Sequence, residues 1–415
     1  MDVDDHSPVW HPYTQMQGAD IIPIVRGEGA YLYDEQGHQY IDAVASWWTN
    51  IHGHAHPHIV SAIAAQAARL EHVIFAGFTH QPAEQLAKML LQRIPFHFKI
   101  FYSDNGSTAV EAAIKMALQY WRNKEEVRKK IICFRDAYHG DTFGAMSVSA
   151  RGVFTHPFQS LLFEVEFIDL ENGKVNPTDL DKFQDKDIAA FIFEPLVLGS
   201  AGMKMYSAKL LDELISISKQ NNILTIADEV MTGFGRTGKF LATDYCSNKP
   251  DIICLSKGIT GGFLPFAATT CTQAIYDVFL SEEKSKMLFH GHSYTGNPLG
   301  CAAGIASLEL FETDNTFKKI ARIEQQHKGF AASLKGNTKI KEVRQCGTIL
   351  AIELKTAEDS GYLNNVRDKA YLFFIERKII LRPLGNVLYI LPPYCIEAND
   401  LQLVYAAIDE FLKLS

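Results

Sequence analysis

The chain has 415 residues, 47% of them hydrophobic and 21% charged, a composition that suits a globular protein and excludes disorder and collagen-like architecture. Its 40 Lys and Arg against 48 Asp and Glu give a net charge of −8, so the basic footprint of phosphate-backbone binding is missing and nucleic acid is not expected as a partner. The longest apolar run, 188–202, is broken by Glu194 and Pro195, the start MDVDDHSPVW is acidic where a signal peptide is basic, and the seven cysteines are scattered without a C-x-x-C pair. These features predict a reduced, cytoplasmic protein that engages no membrane.

Along the chain, AYLYDEQGHQYID predicts a hairpin in the first forty-odd residues. The histidines that follow in IHGHAHPH (His52, His54, His56, His58) lack both an H-E-x-x-H pattern and cysteine partners, so they read as loop histidines and no metal is expected. Short apolar runs predict strands at 99–103, 130–134, 188–193, 223–227, 251–255 and 266–271, with amphipathic helices at 108–122 and 208–220 between them. That alternation predicts an α/β fold with a mostly parallel central sheet. A long helix is expected over 297–328, interrupted near Asp314 and Asn315. Beyond it come shorter strands at 347–354, 379–383 and 387–391 and helices at 364–376 and 398–412, the pattern of a smaller α+β domain. The expected organisation is a large domain over 48–312 and a small one assembled from 1–47 and 313–415, with the site at the seam.

Five segments carry chemistry, each where a predicted strand ends, which is where ligands bind in open α/β sheets. In FYSDNGSTAVEAAIKMA, a strand runs through Asn105, Gly106, Ser107 and Thr108 into a helix. Small residues and unpaired N–H groups there suit a phosphate, with the Ser107 and Thr108 hydroxyls as donors, although an N-cap without a ligand reads the same way. Asp228 ends an apolar strand in ILTIADEVMTGFGRTG. A buried carboxylate needs a cationic partner, either a protonated pyridine nitrogen or Arg236, unless it caps a helix. The G-x-G-x-x-G match at 233–238 lacks the strand, turn and helix context of a dinucleotide fingerprint and is read as a decoy. Lys257 in DIICLSKGITGG is a surface lysine after a strand or, if desolvated, an amine fit for Schiff-base chemistry. Tyr138 and His139 in CFRDAYHGDTFGAMS could stack on a flat cofactor or be ordinary loop residues, and HGHSYTGNPLGCAAG offers a second phosphate contact or another N-cap.

Together and in this order, the segments resemble the pyridoxal-phosphate aminotransferases of fold type I, class III, over nearly the whole chain. ADEVMTGFGRTG, LSKGITGG and HGHSYTGNPLGCAA carry the resemblance. HPYTQM with Tyr13, SWWTNIHGHAHP with Trp47 and Trp48, and LRPLGNVLYILPPY with Arg382 are similar to the branch that serves biotin synthesis. The resemblance implies pyridoxal 5′-phosphate as cofactor, with Lys257 as its covalent partner and proton carrier. It implies Asp228 on the pyridine nitrogen, Tyr138 on the ring face, and Gly106 and Ser107 at the phosphate. Gly291, His292 and Ser293 would reach the cofactor from the partner subunit of a homodimer. Tyr13, Trp47, Tyr138, Gly291 and Arg382 would bind the substrates, S-adenosylmethionine and 8-amino-7-oxononanoate, and Glu194 would lie near the cofactor. Ser293 stands where the family usually has threonine, His292 where it has proline, and Leu198 where relatives often carry glutamine. A lysine-donor variant, an ω-amino acid:pyruvate or ornithine-type transaminase, and a nicotinamide-dependent oxidoreductase built on GFGRTG remain as alternatives.

Overall fold

A computed structural model describes residues 8–356 and 364–414. At its centre a seven-stranded sheet runs in the order Lys99–Ser103, Ala267–Cys271, Ile252–Leu255, Leu224–Asp228, Ile188–Phe193, Lys130–Phe134, Glu166–Ile168. Neighbours are parallel from Ile252–Leu255 outward to Glu166–Ile168, while Ala267–Cys271 is antiparallel to both strands beside it. The expected mostly parallel sheet is therefore present, with one reversed strand. Every residue of Ile188–Phe193, Leu224–Asp228 and Ile252–Leu255 is buried, which is why these strands are continuous apolar runs rather than alternating patterns.

The helix Gly106–Asn123 covers one face through Ala109, Val110, Ala113 and Ala117, and its Trp121 indole donates to the Ala189 carbonyl at 2.8 Å. On the other side Pro298–Thr313, apolar nearly all round, is enclosed by Pro57–Ala67 and Gln81–Arg93. The interruption expected at Asp314 and Asn315 is found: Asn315 turns left-handed (φ 51°) and Thr316–Ser333 begins a second helix. Both chain ends contribute to two further sheets. Ile24–Glu28, Tyr31–Asp34 and Gln39–Asp42 form an antiparallel meander whose last strand pairs in parallel with Ile379–Ile380, Ile41 opposite Ile379. Ile340–Cys346, Ile349–Leu354 and Val387–Ile390 form a three-stranded antiparallel sheet.

The histidines of IHGHAHPH take different partners: His52 packs edge-on to His56 and to Phe311, His54 bonds Asp42, and His58 bonds Glu309. Among the described residues no group of three or more His, Cys, Asp or Glu could hold a metal, and no helix is long and apolar enough to cross a membrane. No α-helix follows the 233–238 glycines, only the short 3₁₀ turn Ala242–Tyr245.

Candidate active site

The carboxyl ends of the parallel strands converge on one cavity of about 630 Å³. Asp228 is the last residue of its strand, Glu194 directly follows Ile188–Phe193, and Lys257 lies two residues past Ile252–Leu255. Tyr138 and His139 lie on the loop after Lys130–Phe134, and Gly106 and Ser107 open the helix after Lys99–Ser103. All seven line the cavity, together with Trp48.

One end is shaped for an anion. Gly106 and Ser107 begin the helix, so their N–H groups have no intrahelical acceptor. A Cβ on Gly106 would come 2.6 Å from Val230 Cγ1, so only glycine lets the helix start this close to the strand-end loop. Of the two roles the sequence leaves open for the Thr108 hydroxyl, phosphate donor or part of a helix cap, the structure shows the second. The hydroxyl accepts the Asn105 N–H at 3.0 Å and donates to the Asn105 carbonyl at 2.8 Å, closing a capping box that consumes its proton. The Ser107 hydroxyl sits 2.7 Å from Thr142 Oγ1 and accepts the Thr142 N–H at 3.1 Å, while Thr142 donates to Glu111 at 2.6 Å. Thr142 and Glu111 were not singled out in the sequence.

At the opposite end Asp228 is 5% exposed, with Oδ2 2.7 Å from His139 Nδ1 and Oδ1 accepting the Val230 N–H at 3.1 Å. The alternative ion pair with Arg236 is not formed. Arg236 is buried and donates to the carbonyls of Pro392 at 2.7 Å and Trp48 at 3.4 Å. Lys257 takes a left-handed backbone (φ 47°) that turns its side chain into the cavity, with Nζ 4.5 Å from the centre of the Trp48 ring. Burial lowers the Lys257 amine to about 8, outweighing the opposite pull of the Asp228 and Glu194 carboxylates. Glu194 is buried, accepts the N–H groups of Tyr138 and Gly199 at 2.9 Å each, and is pushed up to about 7 by burial. Free N–H groups on a helix start, a half-buried amine of lowered basicity and a buried carboxylate are the complements of a phosphate, an aldehyde and a pyridinium nitrogen. The residues present fit pyridoxal phosphate.

Four of the residues expected to meet substrate, Tyr13, Trp47, Tyr138 and Arg382, also come together. The Tyr13 hydroxyl hydrogen-bonds Asp141 and lies 3.5 Å from the Tyr138 hydroxyl. Its ring is edge-on to Trp47 at 5.7 Å and to Phe154 at 5.4 Å. The Arg382 guanidinium lies over the Trp47 ring at 4.8 Å. Burial raises the Tyr138 hydroxyl, so it stays protonated. Asp141 and Phe154 are additions from the structure. Trp47 and Trp48 ride on a turn in which Ala45, Ser46 and Trp48 have φ of 50°, 59° and 69° without being glycine, a backbone that costs of order 1–3 kcal/mol per residue. Gly291 and Ser293 are exposed and His292 half-buried, its Nδ1 3.7 Å from Asp104, and none of the three lines the cavity of its own protomer. Leu198 is buried in a two-residue strand and does not line the cavity either.

Comparison with known proteins identifies the family. The class-III aminotransferase family model matches residues 13–412. The adenosylmethionine-8-amino-7-oxononanoate aminotransferase of Synechococcus elongatus is 47% identical over 421 residues, covering 98% of this chain and 99% of the relative. The crystal structure of the protein of that name from Methanocaldococcus jannaschii superposes with a TM-score of 0.91 at 38% identity, covering 97% of each chain. A PLP-bound amine transaminase from an uncultivated Pseudomonas species superposes with a TM-score of 0.90 at 29% identity, again over 97% of each chain.

Proposed function

The chain belongs to the class-III aminotransferases, which depend on pyridoxal phosphate, and on that premise we propose that it moves the amino group of S-adenosylmethionine to 8-amino-7-oxononanoate, giving the 7,8-diaminononanoate of biotin synthesis. The observation that carries the substrate reading is the wall formed by Tyr13, Trp47, Tyr138 and Arg382 beside the Lys257 cavity. One surface has to accept a sulfonium nucleotide and then a long aliphatic keto acid. Aromatic faces attract the sulfonium by cation–π contact and pack the methylene chain by burial, and Arg382 grips the keto acid's carboxylate through its planar fork.

When bound, the cofactor supplies an aldehyde for the substrate amine and a conjugated ring that withdraws electrons from Cα. The chain's own groups do the rest. Lys257 would hold the cofactor covalently through Nζ, and the same amine, once free, would take the proton from substrate Cα. An amine with a pKa of about 8 has a free-base fraction near neutral pH, which suits it to both tasks. Asp228, oriented by His139, keeps a proton on the ring nitrogen. Tyr138 covers the ring face, and Gly106 and Ser107 hold the phosphate through the start of their helix. The two substrates use one site in turn, so the kinetics are ping-pong. In this reading the enzyme is a cytoplasmic homodimer in which Gly291, His292 and Ser293 complete the neighbouring subunit's site, and the large domain 48–312 meets a small domain made of 1–47 and 313–415.

The test is a visible absorption spectrum of the purified protein. A cofactor band should fade on adding S-adenosylmethionine alone and return with 8-amino-7-oxononanoate. A band that ignores S-adenosylmethionine but fades with lysine or an ω-amino acid overturns the donor, and absence of a band after soaking in pyridoxal phosphate overturns the whole reading.

A further inference from the structure

The strained turn that carries the two tryptophans is built on a buried relay. Asp42 closes the Gln39–Asp42 strand and is 0% exposed. Its Oδ1 accepts the Val44 N–H at 3.2 Å, and its Oδ2 accepts the Ser46 N–H at 2.6 Å and faces His54 Nε2 at 2.9 Å. The neighbours of His54 assign its tautomer. The Thr49 hydroxyl donates to Asn50 Oδ1 at 2.9 Å, so the Asn50 amide turns its NH₂ toward His54 Nδ1, 3.3 Å away. Nδ1 is then the acceptor, and Nε2 carries the hydrogen given to Asp42. The histidine is held from behind as well. Its backbone exchanges hydrogen bonds with Gly29 at 2.8 and 3.1 Å, and a Cβ on Gly27 would come within 2.7 Å of His54 Cβ.

We propose that Asp42 and His54 are positioning residues that impose the left-handed turn and thereby aim Trp48 at Lys257 and Trp47 at Tyr13 and Arg382. Ala45, Ser46 and Trp48 have no glycine freedom, and a non-glycine backbone of this kind persists only where its surroundings over-determine it. The Ser46 N–H, in the middle of the turn, is fixed by a charged acceptor, a stronger bond than a neutral one. That acceptor is itself buried, so it stays in place only while its donors, His54 among them, satisfy it. A neutral histidine suffices, because the bond needs the hydrogen on Nε2 and not a positive charge. For its effect on turnover the inference rests on the transaminase reading; for the geometry of the turn it does not.

The experiment compares His54→Leu, which keeps bulk and loses the donor, with His54→Gln, which can return an N–H to Asp42. In the holoenzyme, His54→Leu should raise the KM for 8-amino-7-oxononanoate about tenfold with a smaller change in kcat, and His54→Gln should recover most of that loss. In the cofactor-free protein, amide hydrogen exchange over 43–50 should quicken about tenfold in His54→Leu and return toward wild type in His54→Gln. Should His54→Leu not fold, Asn50→Leu removes the bond that fixes the ring and is read in the same two ways. KM and exchange both unchanged, or a glutamine variant as impaired as the leucine one, would overturn the proposal. If the wild-type enzyme turned over neither substrate, the function assigned above would fall, while the exchange measurement would still decide the role of the relay.

Discussion

Lys257 joins burial to chemistry in a single side chain. Lys257→Ala should leave a folded protein with no turnover and no covalently held cofactor band; appreciable transamination by that variant would refute its role. The lowered basicity gives the pH dependence a sign. Below about 8 the amine is mostly protonated and a poor nucleophile, so capture of pyridoxal phosphate by the cofactor-free protein should accelerate as pH rises through 8. A capture rate that is flat from pH 7 to 9 would count against a pKa in that range. The same shift acts on stability in the cofactor-free state. The unfolded amine, near 10.5, binds its proton more tightly than the folded one, so the penalty is full below about 8 and is relieved as pH climbs toward 10.5. Arg382 is tested separately. Losing a fork that grips a carboxylate should raise the KM for the keto acid about 10- to 100-fold while cofactor affinity stays near wild type. An unchanged KM would remove Arg382 from the substrate wall.

Among the elements, the helix Gly106–Asn123 has its start fixed by one steric contact. Gly106→Ala puts a methyl 2.6 Å from Val230 Cγ1, so the first turn must shift and its N–H groups lose their aim. Cofactor binding should weaken by about tenfold or more, and the double variant Gly106→Ala/Val230→Ala should recover much of it; no recovery would mean that the crowding lies elsewhere. This element also marks how far the sequence could be read. The strands around Asp228, Glu194 and Lys257 were legible because both faces of the sheet are covered, which leaves unbroken apolar runs that stop where the chemistry starts. The Glu166–Ile168 and Ile340–Cys346 strands were not, since the first has only three residues and the second is an edge strand whose sequence, IKEVRQC, breaks alternation where its pairing slips between Ile340 and Glu342. Within the site, Gly106 and Ser107 can be picked out, whereas the sequence leaves Thr108 between phosphate donor and helix cap, because a hydroxyl in a helix's first turn can cap as readily as it can bind. Asp141 beneath Tyr13, Glu111 behind Thr142 and His54 beneath Asp42 have no local signature. Their partners are distant in sequence or buried in a turn whose shape no periodicity encodes.

Over the whole molecule, burial of neutral groups sets the response to acid. His52, His97 and His327 are buried deeply enough to fall to about 3, 4 and 4 from an ordinary 6.5. Below pH 6.5 the unfolded chain takes up protons that the folded one refuses, so stability is full above 6.5 and is lost as pH falls toward 4. Each histidine contributes up to about 1.4 kcal/mol per pH unit in that window. The melting midpoint should therefore drop between pH 7 and 5, and His97→Gln should flatten the slope; a midpoint independent of pH would contradict it. The proposed homodimer is tested at the same scale. Gly291 and Ser293 are exposed and stand apart from their own protomer's cavity, which is the arrangement a shared site requires. If Ser293 serves the neighbouring subunit, Lys257→Ala and Ser293→Glu are defects in different halves of one site. A mixed dimer of the two then holds one doubly impaired site and one intact site, built from Lys257 of one chain and Ser293 of the other. Random re-pairing of equal amounts makes half the dimers mixed, so two inactive proteins should together regain about a quarter of wild-type activity. Were both residues to act within one chain, every site in the mixture would keep a defect and no activity would return.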